Sequence, residues 1–370
     1  MLSDAAAGPL SQLPYQPRVP RDYHPAIGLI GCGGITKHHL EAYRSANLRV
    51  VALCDLDREA AEARRAFYPD AEIFTDHRRL LDRRDIEVVD IATHPPERPA
   101  LVEAALRAGK HVLSQKPFVI DLEVGRRLVR LAEEQRVRLA VNQNGRWAPH
   151  FSYMREAVAA GLLGELAAVH MAVSWDHTWV KGTAFEQVRH LILYDFAIHW
   201  FDMVRCLLRD RQPTRVYASL ASTPTQTIMP PLLGQAVIEF DRAQASLTFD
   251  AETHFLPQDR TYLTGARGTI CSEGASYQEQ RVTVATSLGR YQPALRGKWF
   301  SDGFLGTMGE LLCSIEENRE PTISAASNLE SLALCFAAVA SAEAHQAIVP
   351  GEVTRLWSPV VPAPNETTSP

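Results

Sequence analysis

Between Ala26 and Val141 the chain repeats one pattern, a short β-branched run followed by a helical stretch. AIGLIG leads into ITKHHLEAYRSA, LRVVALCD into REAAEARRAF, EVVDIAT into a helix through VEAALRAG, and HVLS into LEVGRRLVRLAEEQ, with RLAVNQ closing the series. Such alternation restricts the fold to α/β, a doubly wound parallel sheet with helices on both faces, because parallel strands need helical crossovers between them. After Trp147 the rhythm changes. One helix near 150–161 precedes the strand LAAVHMAVSW, and TRVYASLAS, GQAVIEF, QASLTFDAE, RTYLTG and RVTVATS then follow one another across turns. Strands joined by turns predict an open mixed or antiparallel sheet in a second, α+β domain, closed by helices near 303–318 and 326–346. Five prolines in residues 1–25 predict an extended arm. The expected division is therefore an arm at 1–25, a first domain at 26–147, a second at 148–349 and a tail at 350–370.

Composition narrows the function classes. The 370 residues are 46% hydrophobic and 22% charged, and 38 basic against 43 acidic residues leave a net charge of −5 without long single-sign runs. No nucleic-acid partner and no membrane partner is expected from that balance. The N-terminus lacks the basic start and apolar core of a secretory signal and no apolar run reads as a span, so a cytoplasmic location is expected. Six scattered cysteines show no paired spacing and read as buried free thiols.

The first strand ends in GLIGCGGIT, with Gly31 and Gly33 in place and Thr36 where a dinucleotide fingerprint prefers Gly or Ala. A turn without Cβ atoms lets the backbone approach a pyrophosphate, and free N–H groups at the following helix start complete an anion site. About 20 residues on, Asp55 ends the second strand, where an acid accepts hydrogen bonds from the adenine-ribose hydroxyls and repels a 2′-phosphate. A Rossmann domain that prefers NAD to NADP is predicted. Asp57 reads as a helix cap.

Two further features carry chemistry. HVLSQKPFVI places Lys116 at the carboxyl end of a strand, where ligands bind in such sheets, with Pro117 keeping it out of helical geometry. In LILYDFAIHWFD, read as helix, Asp195 and His199 are four apart on one face with Asp202 a turn further. A buried carboxylate there needs a partner. An isolated Asp/His pair is also what a structural pin looks like, and Asp202 is assigned to structure. No metal site is expected, since no ligand cluster accompanies these residues.

With GLIGCGGIT, Asp55, DIATHPPERPALVEAALRAGKHVLSQKPF, the RW of Arg146 and Trp147, and the D-x-x-x-H of LYDFAIH, the sequence resembles the glucose-fructose oxidoreductase, inositol dehydrogenase and MocA family from about residue 26 to 347. The resemblance implies a Rossmann domain followed by an open-sheet domain for substrate binding and subunit contacts. It implies that Lys116, Asp195 and His199 line the active site. Gly31, Gly33, Gly34, Ile35, Asp55, Thr93, His94 and Lys116 are the cofactor set expected. Arg146, Trp147, Trp179, His190 and Tyr194 are expected beside Lys116, Asp195 and His199 at the substrate, although the aromatic residues and His190 read equally as packing. The sequence departs from the family pattern at Gln115, where Glu-Lys-Pro has its acid, and in the loop holding Arg98, where a histidine is usual.

The reaction expected is hydride transfer between nicotinamide and a secondary alcohol or ketone of a sugar, cyclic polyol or derivative. His199 would act as base or acid, Asp195 would orient its imidazole and favour the protonated form, and Lys116 would bind the substrate oxygen. Two alternatives stay open: cleavage of glycosides by transient oxidation on a retained NAD, and a non-catalytic nucleotide-binding sensor. A homodimer or homotetramer is expected from the open sheet and an arm that could embrace a neighbour.

Overall fold

The computed structural model describes residues 1–3 and 7–356. The latter part of the expected tail, 357–370, lies outside the described residues.

In the first domain β1 (Ala26–Ile30), β2 (Arg49–Cys54), β3 (Glu72–Phe74), β4 (Ile86–Ile91), β5 (His111–Ser114) and β6 (Leu139–Val141) form one sheet in the order β3-β2-β1-β4-β5-β6. Every pairing in it is parallel. Strand order reverses between β1 and β4, and a ligand crevice opens beyond the carboxyl ends at such a point. The helices are α1 (Thr36–Ser45), α2 (Arg58–Arg65), α3 (His77–Leu81), α4 (Arg98–Arg107) and α5 (Leu122–Gln135). Asp57 caps α2 by accepting from the Glu59 N–H, and Asp121 caps α5 through the N–H groups of Glu123 and Val124.

The second domain begins with α6 (Pro149–Ala159) and β7 (Leu166–Ser174). Next come α7 (Ile198–Leu207), β8 (Pro213–Ala221), β9 (Leu233–Phe240), β10 (Gln244–Asp250), β11 (Gln258–Gly265), β12 (Gly268–Ser276), β13 (Glu279–Thr286) and β14 (Gly289–Tyr291). Eight strands order as β14-β13-β12-β11-β7-β10-β9-β8. β7 and β10 pair in parallel and the others antiparallel. Burial alternates along β9, with Ala236, Ile238 and Phe240 inside and Gln235, Val237 and Glu239 outside, the pattern of a sheet packed on one face.

Two helices close the chain, α8 (Trp299–Glu316) and α9 (Ala325–Ala344). Phe304, Met308 and Leu311 of α8 join Leu40 and Tyr43 of α1 in one core, so a helix from the last quarter of the sequence packs on the nucleotide domain. α9 is long and apolar enough to cross a membrane, contrary to the reading that no run has that length, yet 61% of its apolar window is buried inside the protein. Cys335 and Phe336 lie in the core that it shares with Leu191, Ile192 and Leu193.

The arm differs from expectation. Gly8–Gln12 forms a short 3-10 helix with Leu10 buried, Tyr153 donates to the Leu10 carbonyl at 2.8 Å, and Ser152 donates to that of Tyr15 at 2.7 Å. Farther along, the N–H groups of Asp22 and Tyr23 bond the Glu316 carboxylate. At these points the arm is held against its own chain.

Candidate active site

The glycine loop follows β1. Gly31 has φ +91°, and a Cβ there would meet the Ala92 carbonyl oxygen at 2.8 Å, so only glycine lets the loops after β1 and β4 touch. Gly33 and Gly34 face open space, and Ile35 starts α1 without a side-chain cap. Among the described residues the N–H groups of Gly33, Gly34 and Ile35 have no acceptor. Unclaimed donors at a helix start, with no side chain in front, fit a pyrophosphate. Thr36 does not open the turn: its hydroxyl bonds the Gly33 carbonyl at 2.6 Å and accepts from Arg64 at 3.0 Å.

Asp55 sits beside this loop. One carboxylate oxygen accepts from the Cys32 N–H at 2.6 Å and the other from the Asp57 N–H at 2.9 Å, which leaves lone pairs on each for ribose hydroxyls. Thr93 and His94 follow β4, and His94 packs edge-on to Phe185 at 6.3 Å. Arg98, the first residue of α4, is 2% exposed and donates to the carbonyls of Thr93 and Pro117. Burial pulls its guanidinium down to about 10, against the opposing charge of Asp195.

Lys116 follows β5, joined to Pro117 by a cis bond. Its Nζ donates to the Asp195 carbonyl at 2.9 Å and to the Asp195 carboxylate at 3.3 Å, and both side chains are about four-fifths covered. Here the structure corrects the expected Asp195–His199 pair. Residues Ile192–Phe196 form a π-helical turn ahead of α7, so the two residues are not a regular i,i+4 pair, and Asp195 serves the lysine. His199 Nδ1 is fully enclosed and unpaired, against Gly145 and the ring of Trp299 at 5.5 Å. Burial, aided by the Lys116 charge, holds His199 well below the usual histidine range. The imidazole is therefore kept neutral, the reverse of the expected protonated form.

Several substrate assignments are likewise corrected. Arg146 is buried and grips Asp202 with two bonds of 2.6 and 2.8 Å, and also bonds the Thr322 carbonyl. Trp147 is wedged against Gly306, where a Cβ would come within 2.1 Å of its ring. His190 bonds Glu343 of α9 at 2.9 Å. Tyr194 is 2% exposed with its hydroxyl enclosed. Trp179, by contrast, is 58% exposed and stands edge-on to His177 and Phe185.

Other residues at the site were not singled out by sequence. Trp175, Phe196, Trp200, Tyr277 and Trp299 form an aromatic cluster with ring centroids 4.8–5.9 Å apart, and Trp200 and Trp299 of this cluster stand edge-on to His199. His177 packs on Phe196 at 4.6 Å, and burial pulls it down to about 4, with Asp195 opposing and Lys116 assisting. The run SWDHTW after β7, dense in rings at a strand end, was the available signal. Among the described residues no three His, Cys, Asp or Glu side chains cluster as metal ligands.

A nucleotide cradle on one domain, an ammonium at the crevice and an imidazole flanked by tryptophan rings from the other define a dinucleotide-dependent oxidoreductase. Comparison with known proteins agrees. Residues 26–143 match an oxidoreductase family with an NAD-binding Rossmann fold, and residues 151–271 match the GFO/IDH/MocA C-terminal domain. D-apiose dehydrogenase of Paraburkholderia graminis is 29% identical over 65% of this chain and 66% of its own length. Inositol 2-dehydrogenase of Rhizobium meliloti is 28% identical over 85% of this chain and 96% of its own. The crystal structure of an oxidoreductase from Agrobacterium radiobacter in complex with NAD+, L-tartaric acid and magnesium superposes with a TM-score of 0.80, at 21% identity, over 89% of this chain and 99% of the other. The chain belongs to the Gfo/Idh/MocA family of oxidoreductases.

Proposed function

We propose that the protein interconverts a secondary alcohol and the corresponding ketone on a sugar, cyclic polyol or sugar derivative, using NAD. The observation that carries this reading is the meeting of Lys116, from the end of β5, with the turn that leads into α7: its Nζ bonds both the carbonyl and the carboxylate of Asp195, four residues before His199. A bound nicotinamide supplies the hydride acceptor. In the oxidation direction Lys116 donates a hydrogen bond to the substrate oxygen, stabilising the negative charge that builds there. His199 takes the hydroxyl proton on the nitrogen that is not enclosed, and its depressed affinity for protons keeps that nitrogen available at neutral pH. Asp195 holds the ammonium in place from the side away from the reacting oxygen. The aromatic cluster offers apolar faces to a ring substrate and excludes water.

The sugar or polyol class is favoured by the apiose and inositol dehydrogenases among its relatives. NAD over NADP is favoured by the Asp55 carboxylate beside the glycine loop. We also infer a homo-oligomer formed through the outer face of the eight-stranded sheet, where Tyr217 and Val237 are 49% and 46% exposed; light scattering that returned a monomer mass would refute it.

A screen of cyclic polyols and sugars with NAD, followed by absorbance of the reduced nicotinamide, identifies the substrate. With it, Lys116→Ala and His199→Ala are each expected to bind NAD normally and to lose about a hundredfold or more in kcat. Near-normal turnover in both removes the mechanism.

A further inference from the structure

His39 and Tyr43 lie one turn apart on α1, and both are fully buried against β4. Each donates to the same oxygen of the buried Asp90 carboxylate, His39 through Nδ1 at 2.7 Å and Tyr43 through its hydroxyl at 2.7 Å. The other ring nitrogen, Nε2, sits 3.2 Å from Gln115 Nε2 and 3.3 Å from Asn142 Nδ2. The Gln115 amide can point only one way. Its oxygen accepts from the Lys116 backbone N–H at 2.7 Å, and a backbone N–H only donates, so the NH2 end must face His39. His39 Nε2 is therefore an acceptor and Nδ1 carries the hydrogen. Asn142 is held in turn by Thr307 of α8 at 2.9 Å, and the Phe304 ring lies 4.4 Å over the imidazole.

We propose that Gln115 is a positioning residue for Lys116: its amide, locked between the Lys116 N–H and His39, fixes where the reactive lysine leaves the backbone. One imidazole thereby ties together the helix that carries the nucleotide loop, strands β4, β5 and β6, and α8. His39 faces Asp90 from β4, Tyr43 and His38 from its own helix, Gln115 just past β5, Asn142 just past β6, and Phe304 from α8, while Thr307 of α8 reaches the set through Asn142. Asp90 is the one charged group in this hydrogen-bonded set, among the described residues. An acid at 115 would still accept from Lys116, but it would set acceptor against acceptor at His39 Nε2. The network would then hold only with an added proton on the ring. With glutamine, the lysine is held by hydrogen bonds that need no proton uptake.

This proposal rests on the reading that Lys116 serves the substrate oxygen. It is tested with Gln115→Met, Gln115→Glu, Gln115→Glu with His39→Gln, and Lys116→Ala, all full-length, by NAD binding, thermal melting and kcat and KM across about pH 6 to 9. Gln115→Met is expected to bind NAD like the parent and to lose roughly ten- to a hundredfold in kcat, the scale of a displaced reacting group. Gln115→Glu is expected to acquire a fall in kcat with rising pH that the parent lacks. Adding His39→Gln should abolish that fall, because the two amide hydrogens can serve both carboxylates. Parental kcat in Gln115→Met, or a parental pH profile in Gln115→Glu, overturns the proposal, and the second variant decides if the first does not fold. An active Lys116→Ala variant would instead sink the reading beneath it.

Discussion

Breaking the pair between Arg146 and Asp202 separates a structural arginine from a substrate-binding one. The guanidinium is 6% exposed and the carboxylate 1%, and both oxygens of Asp202 accept from Arg146 while Ser331 supplies a third bond at 2.9 Å. Asp202→Asn leaves a buried cation without its counter-charge, which costs about 3–5 kcal/mol. At about 2–4 °C per kcal/mol for a domain of this size, the melting temperature should fall by about 6–20 °C. Arg146→Met strands the carboxylate and should cost a similar amount. The double variant Arg146→Met with Asp202→Leu replaces both charges with apolar groups and should lie at least about 2 kcal/mol above the sum of the single losses. Scanning calorimetry of all four proteins, with KM measured on each that folds, checks the cycle. If Arg146→Met melts like the parent while its KM for substrate rises severalfold, the arginine contacts substrate and the reasoning fails.

Asp55→Ser removes the carboxylate beside the glycine loop, and NAD affinity is expected to drop about tenfold while NADP affinity rises; fluorescence titration that showed no change in the ratio would refute the cofactor preference. His150 is 2% exposed and burial lowers it to about 3, so its folded-state affinity for protons is below the unfolded one. Its contribution to stability is complete above about pH 6.5 and is lost as pH falls toward about 3, and His150→Leu should flatten the acid limb of a melting-temperature profile. Arg98→Met leaves the Thr93 and Pro117 carbonyls unpaired in the interior. A loss of about 1–3 kcal/mol for each, together with lower kcat, is the expected result, and unchanged urea unfolding counts against it.

What could be read from sequence was local. The glycine loop, Asp55 and Lys116 were legible because each is defined by neighbours in the chain and by a strand end. The short strands β3 and β14 were not singled out, since three residues carry no period; β6, equally short, was legible only because LAV is apolar and buried throughout. β12 was missed for another reason: GTICSEGAS mixes small and polar residues, and only Ile270 among them puts a large apolar side chain into the core. Arg146 was misplaced because its partner is 56 residues away, and only the fold brings Asp202 to it. The lysine's partner was equally hidden, with Asp195 79 residues distant.

The hardest feature to foresee was also the one that divides labour at the site. An apolar, aromatic run gives the same pattern whether its turn is α or π, so LILYDFAIHW predicts a regular helix with Asp195 under His199. A π turn inserts about one extra residue, equivalent to roughly 100° of rotation in α-helical terms, and swings the carboxylate off the line of the imidazole. Asp195 is thereby free to meet Lys116 across the domain boundary, and His199 is left without a counter-charge among Gly145, Trp200 and Trp299. A regular helix would favour an Asp–His ion pair and raise the imidazole, which would then hold its proton at neutral pH. The π turn instead gives the charge to the lysine that steadies the substrate oxygen and leaves a neutral ring to accept its proton. Deleting Ala197 to restore α-helical phase should therefore reduce alcohol oxidation more at neutral than at alkaline pH, and equal loss at both would argue against this division.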